Sequence, residues 1–407
     1  MKYRDTIYFL PLPKKYQQMR EIIVRSDKTK SILRKHPWVF SGALASDLSD
    51  FIDGELVSLK DQKENFLGIG HFQHGTIAVR MLTHDKIKID KEFYFDKFKN
   101  ALALRKQIGL FSDNNSICRI IHGEGDGLPG LIIDHYNQVL VVQCHSVGMY
   151  NSLEEIAFAL RDLFGDEVRA IYSKNTGTLP SQIESENKYL FGKCDVPHLA
   201  MENGINYAID WINGQKTGFF IDQRENRALL GKYANGQKVL NTFCYSGGFS
   251  LSALQNRASE VHSLDSSEKA ITLTEENLKL NKFKGKHKSI VDNAVKFLND
   301  LPTEYDIIVL DPPAFAKHRK KRHAAVQGYK RLNANAIRQI KPGGIIFTFS
   351  CSQVVEKELF NHTVISSAIE AGREVRILEQ LHQPADHPIS AFHPEGEYLK
   401  GLVIQVN

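Results

Sequence analysis

The chain has 407 residues, 42% hydrophobic and 24% charged, which is enough for two or three cored domains and too polar for a membrane-embedded protein. No run reaches the roughly 18 apolar residues of a spanning helix. The N-terminus also lacks the unbroken apolar stretch of a signal peptide, so a cytoplasmic location is expected. The formal charge is +5 but uneven: residues 1–35 hold ten Lys or Arg against three acids, which suits a polyanionic partner. Cys118, Cys144, Cys194, Cys244 and Cys351 are odd in number and form no CxxC pair, so neither a disulfide framework nor a metal site is expected.

In chain order, residues 21–89 read as short strands (EIIV, GELVSL, FLGIGHF, GTIAVRML) separated by polar or glycine-containing breaks. Residues 91–109 carry apolar side chains at three- and four-residue spacing and end on Gly109, which predicts a helix closed by a left-handed residue. Then come strand-like CRIIHG, LIIDHY and VLVVQCH, an amphipathic NSLEEIAFALRDLFG and a further strand VRAIYS, together a small α+β unit. From Gly204 onward strands and helices alternate, which predicts a doubly wound α/β fold with a parallel sheet. REVRILEQ and YLKGLVIQV have no helix between them and suggest an antiparallel edge hairpin. The expected division is an extension at 1–20, a β-rich domain at 21–92, a linker helix with the α+β domain at 93–203, and the α/β domain at 204–407.

Ligands of doubly wound folds bind beyond the carboxyl ends of the strands, so the residues after VLNTF, EVHSLD, IIVLD and IIFTFS carry the most information. The first strand opens into Tyr245, Ser246 and Gly247, a glycine turn that either brings backbone amides to a ligand or is an ordinary tight turn. The second ends at Asp265 beside Ser266, where a carboxylate accepts from both ribose hydroxyls or caps the next helix, a role Ser266 or Ser267 could equally fill. The turn lacks the full GxGxxG of pyrophosphate sites, which favours a nucleoside cofactor over a nicotinamide one. Asp292 and Asn293 follow the third strand, and Asp292 serves either as a helix cap or as an acceptor for an adenine amino group.

Asp311, Pro312 and Pro313 close the next strand; two prolines hold the carboxylate and the Pro312 carbonyl rigidly at the sheet edge. At the same edge stands Cys351. A cysteine at a strand end is commonly apolar filler, but a thiolate is also the group that adds to C6 of a pyrimidine and makes C5 nucleophilic toward a sulfonium methyl. Asp311 is then the carboxylate available to remove the C5 proton. Upstream, Phe220, Gln223 and Arg224 either wall a cofactor pocket or begin a helix capped by Asp222. The run Lys317, His318, Arg319, Lys320, Lys321, Arg322 and His323 is either a solvated face or a phosphate contact.

Seven blocks in order carry a resemblance: RKHPWVFSGA, HGEGDGLPGLIIDHY, QKTGFFIDQRENR, NTFCYSGGFS, DPPAFAK, FSCS and ADHPISAFHPEGEYLKG. Across nearly its whole length the chain resembles the bacterial 23S ribosomal RNA cytosine-5 methyltransferases, in which a PUA domain precedes a Rossmann-like class I methyltransferase domain. The resemblance implies S-adenosyl-L-methionine as cofactor, 23S ribosomal RNA as partner, and the option of a homodimer. It implies RNA contacts at Arg34, Lys35, His36 and Trp38, although Trp38 also reads as core packing. It places the nucleophile on Cys351 and the cofactor-side acid on Asp265. Other RNA cytosine-5 methyltransferases carry a second cysteine beside the proline of the Asp-Pro-Pro block, and this chain has none there. Product release then falls to Asp311 or a water that it orients, and similar blocks in amino-group methyltransferases keep the target atom open.

Overall fold

The computed structural model describes residues 19–301, 304–316 and 318–407, so nearly all of the expected extension, and Lys317, lie outside the described residues. The first sheet contains β1 (Arg20–Ile23), β2 (Trp38–Phe40), β3 (Leu56–Lys60), β4 (Phe66–Phe72) and β5 (Ile77–Thr83), in the order β1-β3-β4-β5-β2, with the short α1 (Thr29–Leu33) before β2. Its alternating apolar residues, among them Val57, Leu59, Val79 and Met81, close over Ile22, Val39 and Phe72.

The helix read from spacing is α2 (Lys91–Gln107): Asp90 caps it by accepting from the Phe93 amide, and Gly109 follows at φ +76°. It packs with the second sheet, β6 (Ile117–His122), β7 (Leu131–Tyr136), β8 (Val139–Cys144), β9 (Ala170–Ser173) and β10 (Lys188–Gly192), and with α3 (Val147–Asn151) and α4 (Leu153–Phe164). β10 escaped the sequence reading because its pattern KYLFG lies half exposed on the sheet edge beside β9. A hairpin of β11 (His198–Glu202) and β12 (Ile205–Ile209) follows.

The third sheet is built from β13 (Lys238–Thr242), β14 (Glu260–Asp265), β15 (Lys286–Val291), β16 (Ile307–Leu310), β17 (Ile345–Ser350), β18 (Val375–His382) and β19 (Lys400–Val406). Helices α5 (Arg224–Tyr233), α6 (Gly248–Gln255), α7 (Glu268–Lys279), α8 (Ala294–Asn299), α9 (Arg322–Gln339) and α10 (Lys357–Ala371) connect or flank these strands. Strand order is β15-β14-β13-β16-β17-β19-β18, parallel through β17, with β19 antiparallel to both neighbours and β18 on the edge, as the late hairpin predicted. The run Ile307–Leu310 is apolar throughout because both faces are covered. Ile307 and Val309 face Phe249, Leu254 and Phe349, whereas Ile308 and Leu310 face Leu298, Leu332 and Phe360.

By contacts the described residues form two units. One holds the residues up to Ala200 with Ile209–Phe219 and Ala385–Gly396; the other holds Met201–Ala208, Phe220–Pro384 and Glu397–Asn407. This grouping differs from the four-part reading, because hydrophobic pattern cannot reveal a segment that leaves one unit to complete another. In the first unit Arg105 is fully buried, donates to both Asp126 oxygens at 2.6 and 2.8 Å, and gives a further bond to the Asp386 carbonyl at 2.8 Å. The Arg119 amide donates to the Asp386 carboxylate at 2.9 Å. No described helix is long and apolar enough to cross a membrane.

Candidate active site

The order of the third sheet reverses between β13 and β16, and the carboxyl ends of its five parallel strands carry the residues singled out from sequence. After β13 the backbone takes three left-handed residues in five, Phe243 at φ +55°, Tyr245 at +48° and Gly247 at +77°. Each non-glycine residue there costs about 1–2 kcal/mol, so this is not an ordinary tight turn. Neighbouring side chains hold it: the Tyr245 amide donates to Asp265 at 3.1 Å, Thr274 Oγ1 to the Tyr245 carbonyl at 3.0 Å, and Asn277 Nδ2 to the Ser246 carbonyl at 2.8 Å. Gly247 precedes α6 without a side-chain cap, which leaves the helix N-terminus served by backbone alone.

At two carboxylates the capping alternative is taken by a neighbour. The side chain of Ser267 caps α7, accepting from the Ala270 amide, so Asp265 is not needed there. Each Asp265 oxygen accepts one amide, from Tyr245 and from Ser267, and a carboxylate retains lone pairs for further donors. The cap of α8 is Asn293, which accepts from the Lys296 amide at 3.1 Å, and this overturns the capping reading of Asp292. Asp292 instead accepts from the Asn293 amide at 2.7 Å. Ser266 is exposed beside them.

Asp311 and Cys351 follow adjacent strands paired Leu310 to Thr348. Ser352 Oγ donates to the Ala316 carbonyl at 2.6 Å, joining the loop after Cys351 to the Asp-Pro-Pro loop. Burial first, and the Asp222 carboxylate second, push the Asp311 carboxyl up to about 7, against a Gln223 hydrogen bond and the Arg227 charge. Pro312 is buried and Pro313 exposed. Tyr329 of α9 lies fully buried against the Phe315 ring at 4.6 Å, and burial raises its hydroxyl to about 12, with Cys351 and Asp311 among the charges it feels. Cys351 is half-buried, whereas Cys118, Cys144, Cys194 and Cys244 are buried, as filler cysteines should be.

The segment before α5 adds a wall. Phe220 meets Tyr245 edge to face, with centroids 5.1 Å apart at 85°. Gln223 and Arg224 are buried at the start of α5, and Gln223 accepts from Asn226 at 2.6 Å. Asp222 is not the helix cap; it accepts the Tyr398 hydroxyl at 2.8 Å through Oδ2, and its buried Oδ1 has no hydrogen-bond partner.

The model of the S-adenosylmethionine-dependent methyltransferase family matches residues 118–399 of the chain. The chain belongs to this family. A PUA-like domain model matches residues 22–84, which contain all five strands of the first sheet except the start of β1. The "Ribosomal RNA large subunit methyltransferase I" of Alteromonas mediterranea is 36% identical over 395 residues, covering 95% of this chain and 98% of its own. The protein of the same name from Tolumonas auensis is 37% identical over 394 residues, with 94% and 98% covered. A methyltransferase of Streptococcus mutans shares the fold, with a TM-score of 0.81 at 22% identity over 95% of this chain and all of that one. A methyltransferase structure complexed with S-adenosylhomocysteine gives the same TM-score and identity.

The methyltransferase uses S-adenosylmethionine, and its strand-end residues fit that molecule. Asp265, a carboxylate with spare lone pairs, and the unpartnered Asp222 Oδ1 offer acceptors to the cofactor's hydroxyl and cationic groups, and the N-terminus of α6, without a side-chain cap, offers amide donors to its carboxylate. Sequence reasoning read Asp222 only as a helix cap and gave no role to Tyr329, Ser352 or Lys400. Lys400 carried a signal, a lone charge opening a largely apolar strand.

The residues expected to meet RNA divide by exposure. Arg34, Lys35, Arg319, Lys320, Lys321 and Arg322 are exposed. In the first unit His36 and Trp38 are half-buried, and the Trp38 indole donates to Glu124 at 2.8 Å and lies 4.3 Å from the His393 ring, so much of its surface is engaged within the protein. His36, His393 and Glu395 bring donor atoms within 4.8 Å of one another, with Glu395 facing both imidazoles at 3.7 and 3.1 Å.

Proposed function

We propose that the chain methylates C5 of a cytidine in 23S ribosomal RNA through a covalent adduct on Cys351. The observation that carries the reading is the placement of Cys351 and Asp311 after paired strands, with their loops joined by Ser352 and Ala316. The names of the relatives support ribosomal RNA of the large subunit as the substrate class.

Phe220, Gln223, Arg224, Tyr245, Ser246, Gly247, Asp265, Ser266, Asp292, Asn293, Asp311 and Pro312 would hold S-adenosylmethionine, with Asp265 on the ribose hydroxyls and Asp292 on the adenine amino group. The bound cofactor supplies an electrophilic sulfonium methyl. The Cys351 thiolate would add to C6, forming an S–C6 bond and moving the ring electrons onto C5, which would take up the methyl group as its bond to the sulfonium sulfur breaks and the sulfur leaves as a neutral thioether. Asp311 then accepts the C5 proton, the C5–C6 double bond re-forms, and the S–C6 bond breaks to return the thiolate. A carboxyl held near 7 is half ionised at neutral pH, which suits a group that takes up and releases a proton in each turnover.

RNA would be gripped by a PUA domain at 21–92 through Arg34, Lys35, His36 and Trp38, and by Lys317 with Arg319, Lys320, Lys321 and Arg322. The α+β domain at 93–203 and the methyltransferase domain at 204–407 complete the proposed division, in a cytoplasmic protein that acts alone or as a homodimer. Cys351→Ala is expected to abolish methyl transfer while leaving S-adenosylmethionine binding by calorimetry unchanged. Full activity of that variant, with methylation mapped by mass spectrometry to an amino or ring nitrogen, would replace the covalent reading with the second one that the Asp-Pro-Pro block allows. Loss of cofactor binding in the natural protein would point to an RNA-binding assembly factor.

A further inference from the structure

Lys400 opens β19 opposite Ser350, the last residue of β17, and only 3% of its surface is exposed. Its ammonium donates to two carbonyls of the loop that follows Cys351, Ser352 at 2.8 Å and Val355 at 2.9 Å. No carboxylate forms an ion pair with it among the described residues. A lysine taken from water without a counter-ion is costly, and a position whose only role was packing would be served better by an apolar side chain. Two hydrogen bonds leave a third N–H, and the peptide of Cys351 lies between the residue that pairs with Lys400 and the residue whose carbonyl accepts its hydrogen bond.

We propose that Lys400 is a positioning residue for Cys351: its ammonium fixes the loop that carries the thiol and supplies the buried positive charge that favours thiolate over thiol. The inference deepens the covalent reading and rests on it for its catalytic meaning. The titratable groups in play are few. Cys351, then Glu397 and Glu356, act on Lys400, and Tyr329 of α9 feels both Cys351 and Asp311. Burial draws the Lys400 ammonium down to about 8, so the positive charge is present at neutral pH and fades above it.

The test is the rate of Cys351 alkylation by iodoacetamide against pH in the full chain, read by peptide mass spectrometry without RNA or cofactor. In Lys400→Met the profile should move up by about one pH unit, with the four buried cysteines silent and kcat for methyl transfer lowered. A profile superimposable on that of the natural protein would overturn the inference. If Lys400→Met does not fold, Lys400→Arg decides: a guanidinium stays charged, so the inflection near pH 8 expected of the natural protein should vanish. Retention of that inflection would count against Lys400. Alkylation reports on the thiol itself, so an active Cys351→Ala enzyme would remove the covalent reading without altering this result.

Discussion

Asp311 and Asp222 form the most consequential pair of single residues in the site. Asp311 is raised first by burial and then by Asp222, and it must be ionised to accept a proton, so the rate of methyl transfer should climb as pH passes through about 7. Asp222→Asn removes the like charge and lets Asp311 ionise earlier. The acid limb of the pH–rate profile should therefore move down by roughly half a unit to one unit. The Tyr398 hydroxyl would still find a carbonyl oxygen to donate to. A limb that stays in place would show that another group sets it. Sequence made Asp265, Asp311 and Cys351 legible because each closes a recognisable apolar strand. Asp222 and Tyr329 were hidden because their roles depend on what approaches them through the fold: one carboxylate oxygen buried without a partner, and one hydroxyl on a helix face that reads as core.

Among the elements, the loop between β13 and α6 and the N-terminal end of α9 each carry a physical cost. In the loop, a methyl group on Gly247 would need a strained φ of +77° and would sit 2.7 Å from Thr274 Cγ2. Gly247→Ala should cost about 1–2 kcal/mol of stability and weaken S-adenosylmethionine binding at least tenfold by calorimetry; unchanged affinity would place the cofactor elsewhere. At α9, Arg319, Lys320, Lys321 and Arg322 gather at a helix N-terminus, where cations oppose the macrodipole. Replacing Lys320 and Arg322 by Glu should stabilise the protein by about 0.3–1 kcal/mol per residue while weakening RNA binding and flattening its salt dependence. Stability rising with RNA affinity unchanged would return the run to the reading of a solvated face. Strand and helix identities were readable because buried parallel strands are apolar runs and the helices keep their spacing. The half-exposed β10 offered neither signal.

For the molecule as a whole, the two units could not be read from the sequence, because their boundaries are set by partners far apart in the chain. Asp386, in the loop between β18 and β19, receives the Arg119 amide, and its carbonyl receives the buried Arg105. Asp386→Ala removes the carboxylate that accepts the Arg119 amide and should therefore loosen a strand 267 positions upstream, while the carbonyl that receives Arg105 remains. Hydrogen exchange should accelerate in Ile117–His122 with little change in Ile307–Leu310; protection unchanged in both would make the segment a passive connection. The same topology bears on how the protein is made. A nascent chain that has completed β10 already carries both larger sheets of the first unit, yet Arg105 still awaits a carbonyl that lies 281 residues further along the chain. The amino-terminal half cannot be released as a finished module, and no single cut in the gene would yield two intact pieces.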